Sequence, residues 1–556
     1  MVEGGDGYAH VNTAIDDRQT CDFGGLSALE PGFAQQNWKG RNISGSKLAE
    51  VARKASEAGA RVDIRGARIF GEIPLDHADI RTSVALLRCL IEGTLDLQFS
   101  SVKSLDLSES EIRPPISPAG TRVAINAAPA MIEYDMRLQQ MRTTGEMRFR
   151  GAKIGGALLA FGLSAESGSI PESEPSTFIL EEPWSVNLTD ASIGEDVIFV
   201  EAHVAGGMSV AGADVGGQLN CTGATLCASK PEGERAEEKF ALFAQRVNID
   251  ESVFLRRKDS DSRGDPKKPD IYGCLYFVGA TIKGNFDLAN TCIDRGCDPP
   301  ANSPAVGGSE CSGAALDLRG AQLDRLIYRN VLVARGDVNL ERCKVSLLSD
   351  DPRSWNLSHG SYQIRDFQYD AMDGDEWTTR KRRRWVRRSA DSAKPGSYLA
   401  LAQVFAAEGD SSSERKTRAL ASSKAATKLE RILLGWVRYG YRPWAVGVPL
   451  LLLATLTVLQ LDHALNVRNA VVEAKPSNPP VTATACDDAS VLCPDPLVYG
   501  LDAVIPVDLG QTATWRPNED TEAGRVLGWL LRLDLVASWA LAGVLLASVA
   551  GRLQRT

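Results

Sequence analysis

Between Asp190 and Leu226, alanine recurs at a step of eleven residues, at Ala191, Ala202, Ala213 and Ala224. An aliphatic residue follows each by two: Ile193, Val204, Val215 and Leu226. A second set keeps the same step, with Val197, Met208 and Leu219 followed by Phe199, Val210 and Cys221. Spacing by two puts both members of a pair on one side of a strand. An eleven-residue period also suits a right-handed helical supercoil, but Gly206, Gly207, Gly212, Gly216 and Gly217 break such a helix. The pattern predicts a mainly β fold, a right-handed parallel β-solenoid built from 11-residue half-coils. Its coils must stack, because one coil cannot bury its own apolar row.

The same phrase recurs in GARIFGEIPLDHADI (66–80), GAKIGGALL (151–159), GATIKGNFDL (279–288) and LDLRGAQL (316–323). The solenoid is therefore expected over 61–376, on the order of ten coils rising ~4.8 Å each. Turn-rich insertions are expected at 110–145, 164–186, 228–238, 257–270 and 295–312. Residues 46–60 (SKLAEVARKASEAG with its glycine stop) predict a helix capping the first coil, since an open end exposes unpaired strand edges. Residues 1–45 are expected to be disordered.

From Trp377 the pattern changes. RKRRRWVRR (380–388) lies in a basic linker, 377–394, whose Trp377 and Trp385 are candidate anchors on an anionic membrane face. A helical hairpin is expected over 395–438. A first transmembrane helix follows at 439–462, with Tyr441, Arg442 and Trp444 at its aromatic interface. An acidic loop occupies 463–524, a second span 525–551, and a short tail 552–556. The net charge of −9 argues against nucleic acid as a partner, but it averages over an asymmetry. Lys and Arg crowd 378–442, while the loop carries Asp487, Asp488, Asp495, Asp502, Asp508, Glu519, Asp520 and Glu522. The positive-inside rule then places both termini and the solenoid in the cytoplasm and the acidic loop outside. Cys486 and Cys493 lie in that loop, where a disulfide persists; two free thiols are the alternative.

No Walker loop, dinucleotide-binding glycine motif, zincin motif or nucleophile elbow occurs. No catalytic residue, cofactor or metal site is assigned; Cys292, Cys297 and Cys311 lack the spacing of metal ligands. The candidate functional polar residues are Asp502, Asp508, Arg532 and Asp534. The last two lie within an apolar run, toward its outer end, where snorkelling to the interface is the simpler reading.

The unit A-x-[ILV], as in Ala78-Asp79-Ile80 and Ala213-Asp214-Val215, resembles the pentapeptide repeat A-(D/N)-L-x-x, with five-residue steps alternating here with six. The wider arrangement of repeats, basic linker, hairpin, Tyr439–Trp444 and YGLDAVIPVDLGQ (499–511) is similar to a bacterial family commonly labelled "membrane-associated oxidoreductase". That resemblance implies a two-pass inner-membrane protein with a cytoplasmic solenoid and, by the label, redox activity. Three functions stay open: a membrane-anchored scaffold or sensor binding membrane lipid and a protein partner on the solenoid; a homo-oligomeric channel with Asp502 and Asp508 as charge rings; and the oxidoreductase.

Overall fold

A computed structural model describes residues 7–16, 19–28, 30–116, 121–166, 184–228, 240–258, 270–295, 313–357, 360–374, 376–392, 394–425, 447–465, 470–474, 493–504 and 511–553. The chain divides into two units, Met1–Asp410 and Ser411–Thr556.

The first unit is a stack of parallel β coils. One coil comprises the strands Ser192–Ile193, Val197–Ile198, His203–Ala205 and Met208–Ser209. Ser192 then pairs with Asp214, Val197 with Leu219 and His203 with Thr225, a step of 22 residues. The strands assemble into an 18-stranded sheet that covers two faces of the coil and two eleven-stranded sheets that cover the others. The inward row is the one the period marks. Ala191, Ile193, Val197, Phe199, Ala202, Val204, Met208 and Val210 are all buried.

Two local devices hold the corners. Gly155, Gly194 and Gly216 stack, and a Cβ on Gly216 would lie 2.2 Å from the Gly194 carbonyl oxygen, so no larger residue fits without moving backbone. Elsewhere an Asx turn closes the corner. Asp106, Asn187, Asn220, Asp287, Asp317 and Asn339 each accept the backbone N–H two residues on.

Three sequence expectations are corrected here. Within the stretch 110–145, the described residues 110–116 and 121–145 carry rungs of the stack: Glu111–Ile112, Val123–Asn126, Met131–Ile132, Met136–Arg137 and Arg142–Thr143 all pair with strands of neighbouring coils. Met136, Met141, Met147 and Thr143 fill the interior there, and prolines around them imitate loop composition. Of the other expected insertions, 167–183, 229–239, 259–269 and 296–312 lie outside the described residues.

The N-terminus, expected to be disordered, contributes helix α1 (Gly7–Asp16) and two strands. Cys21–Asp22 pairs with Ile64–Arg65, and Asn42–Ser44 with Arg68–Phe70. Phe33 and Trp38 meet edge to face at 5.7 Å in a small core with Ala28 and Leu90. Helix α2 (Gly45–Ala58) ends at Gly59 in the left-handed conformation and buries Leu48, Val51, Ala52 and Ala55 beside the first coils.

The basic linker is the third correction. Residues Thr379–Arg388 form helix α3, followed by α4 (Gly396–Ala407), both in the first unit. The rest of the expected hairpin supplies α5 (Ser411–Ala425) to the second unit, and 426–438 lie outside the described residues.

The second unit also holds α6 (Gly447–Leu465), α7 (Pro496–Val504), α8 (Gln511–Thr514) and α9 (Glu522–Leu553). Within α9, Glu522–Val544 is long and apolar enough to cross a membrane; Val448–Ala464 is a shorter apolar helix. The loop between them is folded where it is described. Val471–Glu473 pairs antiparallel with Trp515–Pro517 over a core of Leu461, Tyr499, Trp515 and Leu527.

Candidate membrane-anchor site

Two clusters gather the residues singled out from the sequence. The first closes the C-terminal end of the solenoid. Thr378 caps α3 by accepting the Lys381 N–H. The helix then turns Arg382, Trp385 and Val386 inward. The Arg382 guanidinium donates two bonds to the Asp350 carboxylate, Nη1 to Oδ2 at 2.8 Å and Nη2 to Oδ1. The Trp355 indole N–H also donates to Asp350, at 2.6 Å. Arg382 stacks over the Trp377 ring at 3.7 Å, and Trp377 donates its N–H to the Asp350 carbonyl at 3.1 Å. Tyr362 donates its hydroxyl to the Trp385 carbonyl at 2.6 Å, and Trp385 packs against Trp355, Tyr362 and Tyr369. Burial pushes the phenols of Tyr328, Tyr362 and Tyr369 up, so all three stay neutral.

This overturns the assignment of Trp377 and Trp385 to a membrane interface. Trp385 is 3% exposed and Trp377 is half-buried over Arg382. The Trp385 ring locks α3 to the solenoid, and the half-buried Trp377 ring is covered by Arg382 on one face. Arg382 and Asp350 were not singled out from the sequence, because nothing local distinguishes one arginine of RKRRRWVRR from its neighbours.

The second cluster joins the apolar helices. Asp534 lies about 18 Å along α9 from Glu522, at the helical rise of ~1.5 Å per residue. It is 7% exposed and accepts a bond from the fully buried Thr457 hydroxyl of α6 at 2.9 Å. The expectation that Asp534 snorkels is therefore corrected. Arg532 does point outward, pairing with Glu519 at 3.2 Å and lying over Trp529. Asp502 is buried and accepts both the N–H and the hydroxyl of Thr512, at 2.7 and 2.9 Å. Its carboxylate is thus committed to the start of α8, contrary to its expected place in a ring of charge. Gly500 lets α7 approach α6, since a Cβ there would stand 2.6 Å from Val458 Cγ2.

Around this core the outer faces are apolar and bare: Val448, Leu451, Leu452, Leu456 and Leu459 on α6, and Val526, Trp529, Leu533, Val536, Trp539 and Leu546 on α9. Cys493 is disulfide-bonded. Cys486, Tyr441, Arg442, Trp444 and Asp508 lie outside the described residues. Among the described residues no group of three or more His, Cys, Asp or Glu side chains is placed to hold a metal.

The sequence matches no protein-family model, and it matches neither a curated protein nor a solved structure.

Proposed function

We propose that this chain is a membrane-anchored scaffold or sensor whose solenoid presents a rigid surface to a protein partner at the cytoplasmic face of a bacterial inner membrane. The observation that carries the reading is the exposed apolar belt on α6 and α9 around a buried Thr457–Asp534 contact. In water such a belt is costly, at about 25 cal/mol per Å² of apolar surface. In a bilayer it faces its natural solvent, and the polar pair is hidden between the helices.

In this reading both apolar helices span, the first beginning upstream of Gly447 in the YGYRPW stretch. Both termini are cytoplasmic because Lys and Arg crowd 378–442 while the intervening loop is acidic. Cys486 and Cys493 close a small ring outside, and the coils turn right-handed as in the pentapeptide-like proteins the repeats resemble. The insertions interrupting the regular coils supply partner recognition.

The test is topological. The full chain should stay in the membrane fraction after alkaline carbonate extraction. In a Cys486/Cys493-free background, Thr482→Cys should react with an impermeant thiol reagent on intact cells, and Ser412→Cys only after lysis. Release by carbonate, or the reverse labelling, overturns the reading. An oligomer-dependent cation current lost on Asp502→Asn/Asp508→Asn would replace it with a channel.

A further inference from the structure

We infer that the outward face of α3 is a docking surface for the headgroups of anionic phospholipids. This rests on the membrane-anchored reading and names the device that holds the solenoid's end against the bilayer.

Most arginines along the solenoid are paired where they stand, and the exposed ones without an ion pair among the described residues, Arg142, Arg246, Arg325 and Arg342, stand singly in separate strands or corners. Strand period two sets a carboxylate two residues before each of several arginines, on the same face. Asp79 thus meets Arg81 at 2.7 Å, Asp135 meets Arg137 at 3.0 Å, Glu146 meets Arg148 at 2.7 Å and Asp317 meets Arg319 at 2.8 Å. Helix α3 departs from that habit. Arg380, Arg384, Arg387 and Arg388 are exposed and make no ion pair among the described residues. The one arginine of the helix that is paired, Arg382, is the one turned inward.

The helix is also held still. Asp350, Trp355, Tyr362 and Trp377 fix its buried side, so its four free guanidiniums form a preset row rather than a flexible tail. A planar guanidinium matches the phosphate oxygens of a lipid headgroup in a two-pronged contact. Trp385 is buried and Trp377 is covered by Arg382 on one face, so the contact is electrostatic and superficial, without insertion. Lipid is the favoured polyanion because the same chain carries the apolar belt of α6 and α9.

The experiment uses the full chain in nanodiscs of phosphatidylcholine carrying a photoactivatable phosphatidylglycerol probe, with a photoactivatable phosphatidylcholine as control. Adducts are mapped by mass spectrometry. A basic side chain at an anionic surface strengthens binding about fivefold. We expect phosphatidylglycerol adducts on the α3 peptide at least tenfold above the phosphatidylcholine control. The variant Arg380→Gln/Arg384→Gln/Arg387→Gln/Arg388→Gln should lose them, while adducts on α9 stay unchanged and an unaltered unfolding transition shows that it folds. Adducts on α9 with none on α3, or equal labelling of α3 by both lipids or in the variant, overturn the inference and leave the anchor. Absence of adducts from α9 as well overturns the anchor itself. Capture of α3 by a short RNA duplex in place of the lipid probe overturns the lipid assignment.

Discussion

Arg382 and Asp350 form a buried two-pronged ion pair that ties helix α3 to the strand Lys344–Asp350. Both side chains are essentially removed from water, at 4% and 0% exposure. Taking away one partner strands the other charge. Arg382→Leu should cost about 3–5 kcal/mol in unfolding of the solenoid's C-terminal end. The double variant Arg382→Leu/Asp350→Leu should recover most of that loss. Chemical unfolding followed by the fluorescence of Trp355 and Trp385 reads both; equal destabilisation by single and double variants would contradict the pair's role.

The inward register makes a sharper test of the coil. Ile193 is buried and Asp214 is exposed, although Asp214 pairs one coil on with Ser192, the residue beside Ile193. Ile193→Asp should cost several kcal/mol, as an unpaired buried carboxylate does. Asp214→Lys should leave the thermal transition within about 0.5 kcal/mol.

Buried thiols report on the same interior. Burial pushes Cys89, Cys221 and Cys343 each up to about 12. At pH 8 their thiolate fraction is on the order of one in ten thousand, and the thiolate is the reactive form. Alkylation followed by mass spectrometry should leave all three unmodified in the native protein and modify them in guanidinium. Rapid native labelling would mean that the stack opens there.

Acid should loosen the contact of the N-terminal strand with the first coil. Burial alone would raise the Asp63 carboxyl, but hydrogen bonds from Arg65 and Thr20, with Arg61 close by, bring it below its ordinary range. A carboxylate depressed by folding contributes stability above its unfolded value, ~3.9, and loses it as pH falls through the folded value. The contact between Thr20 and Asp63 should therefore weaken below about pH 4. Hydrogen exchange at Cys21–Asp22 should rise there, and Asp63→Asn should abolish that pH dependence.

Thr457 offers a matched pair of variants in α6. Its hydroxyl reaches Asp534 as well as the Leu453 carbonyl of its own helix, whereas the exposed Thr455 hydroxyl bonds, among the described residues, the Leu451 carbonyl of its own helix. Thr457→Val should weaken association of α6 with α9 by ~0.6–1.7 kcal/mol. Thr455→Val should have little effect. Unfolding of the full chain in mixed micelles distinguishes the two.

The period-two pairs and the glycine corners belong to the chain itself, because a short strand's inward face depends on neighbours only two residues away. That is why Ile193, Val204 and Val215 announce the coil, and why the apolar lengths of α6 and α9 are visible before any fold is known. Where Met136, Met141 and Thr143 replace the aliphatic phrase, the rungs were hidden, since only packing shows that they fill the same space. The partners of charges are longer-range still. Arg382 finds Asp350 across 32 residues and Thr457 finds Asp534 across 77. Among the basic residues of 380–388, composition alone treats Arg382 and Arg384 alike. The way α3 docks on the last coils buries one and leaves the other bare, because a helix can turn only one face to the core while every arginine on it carries the same charge.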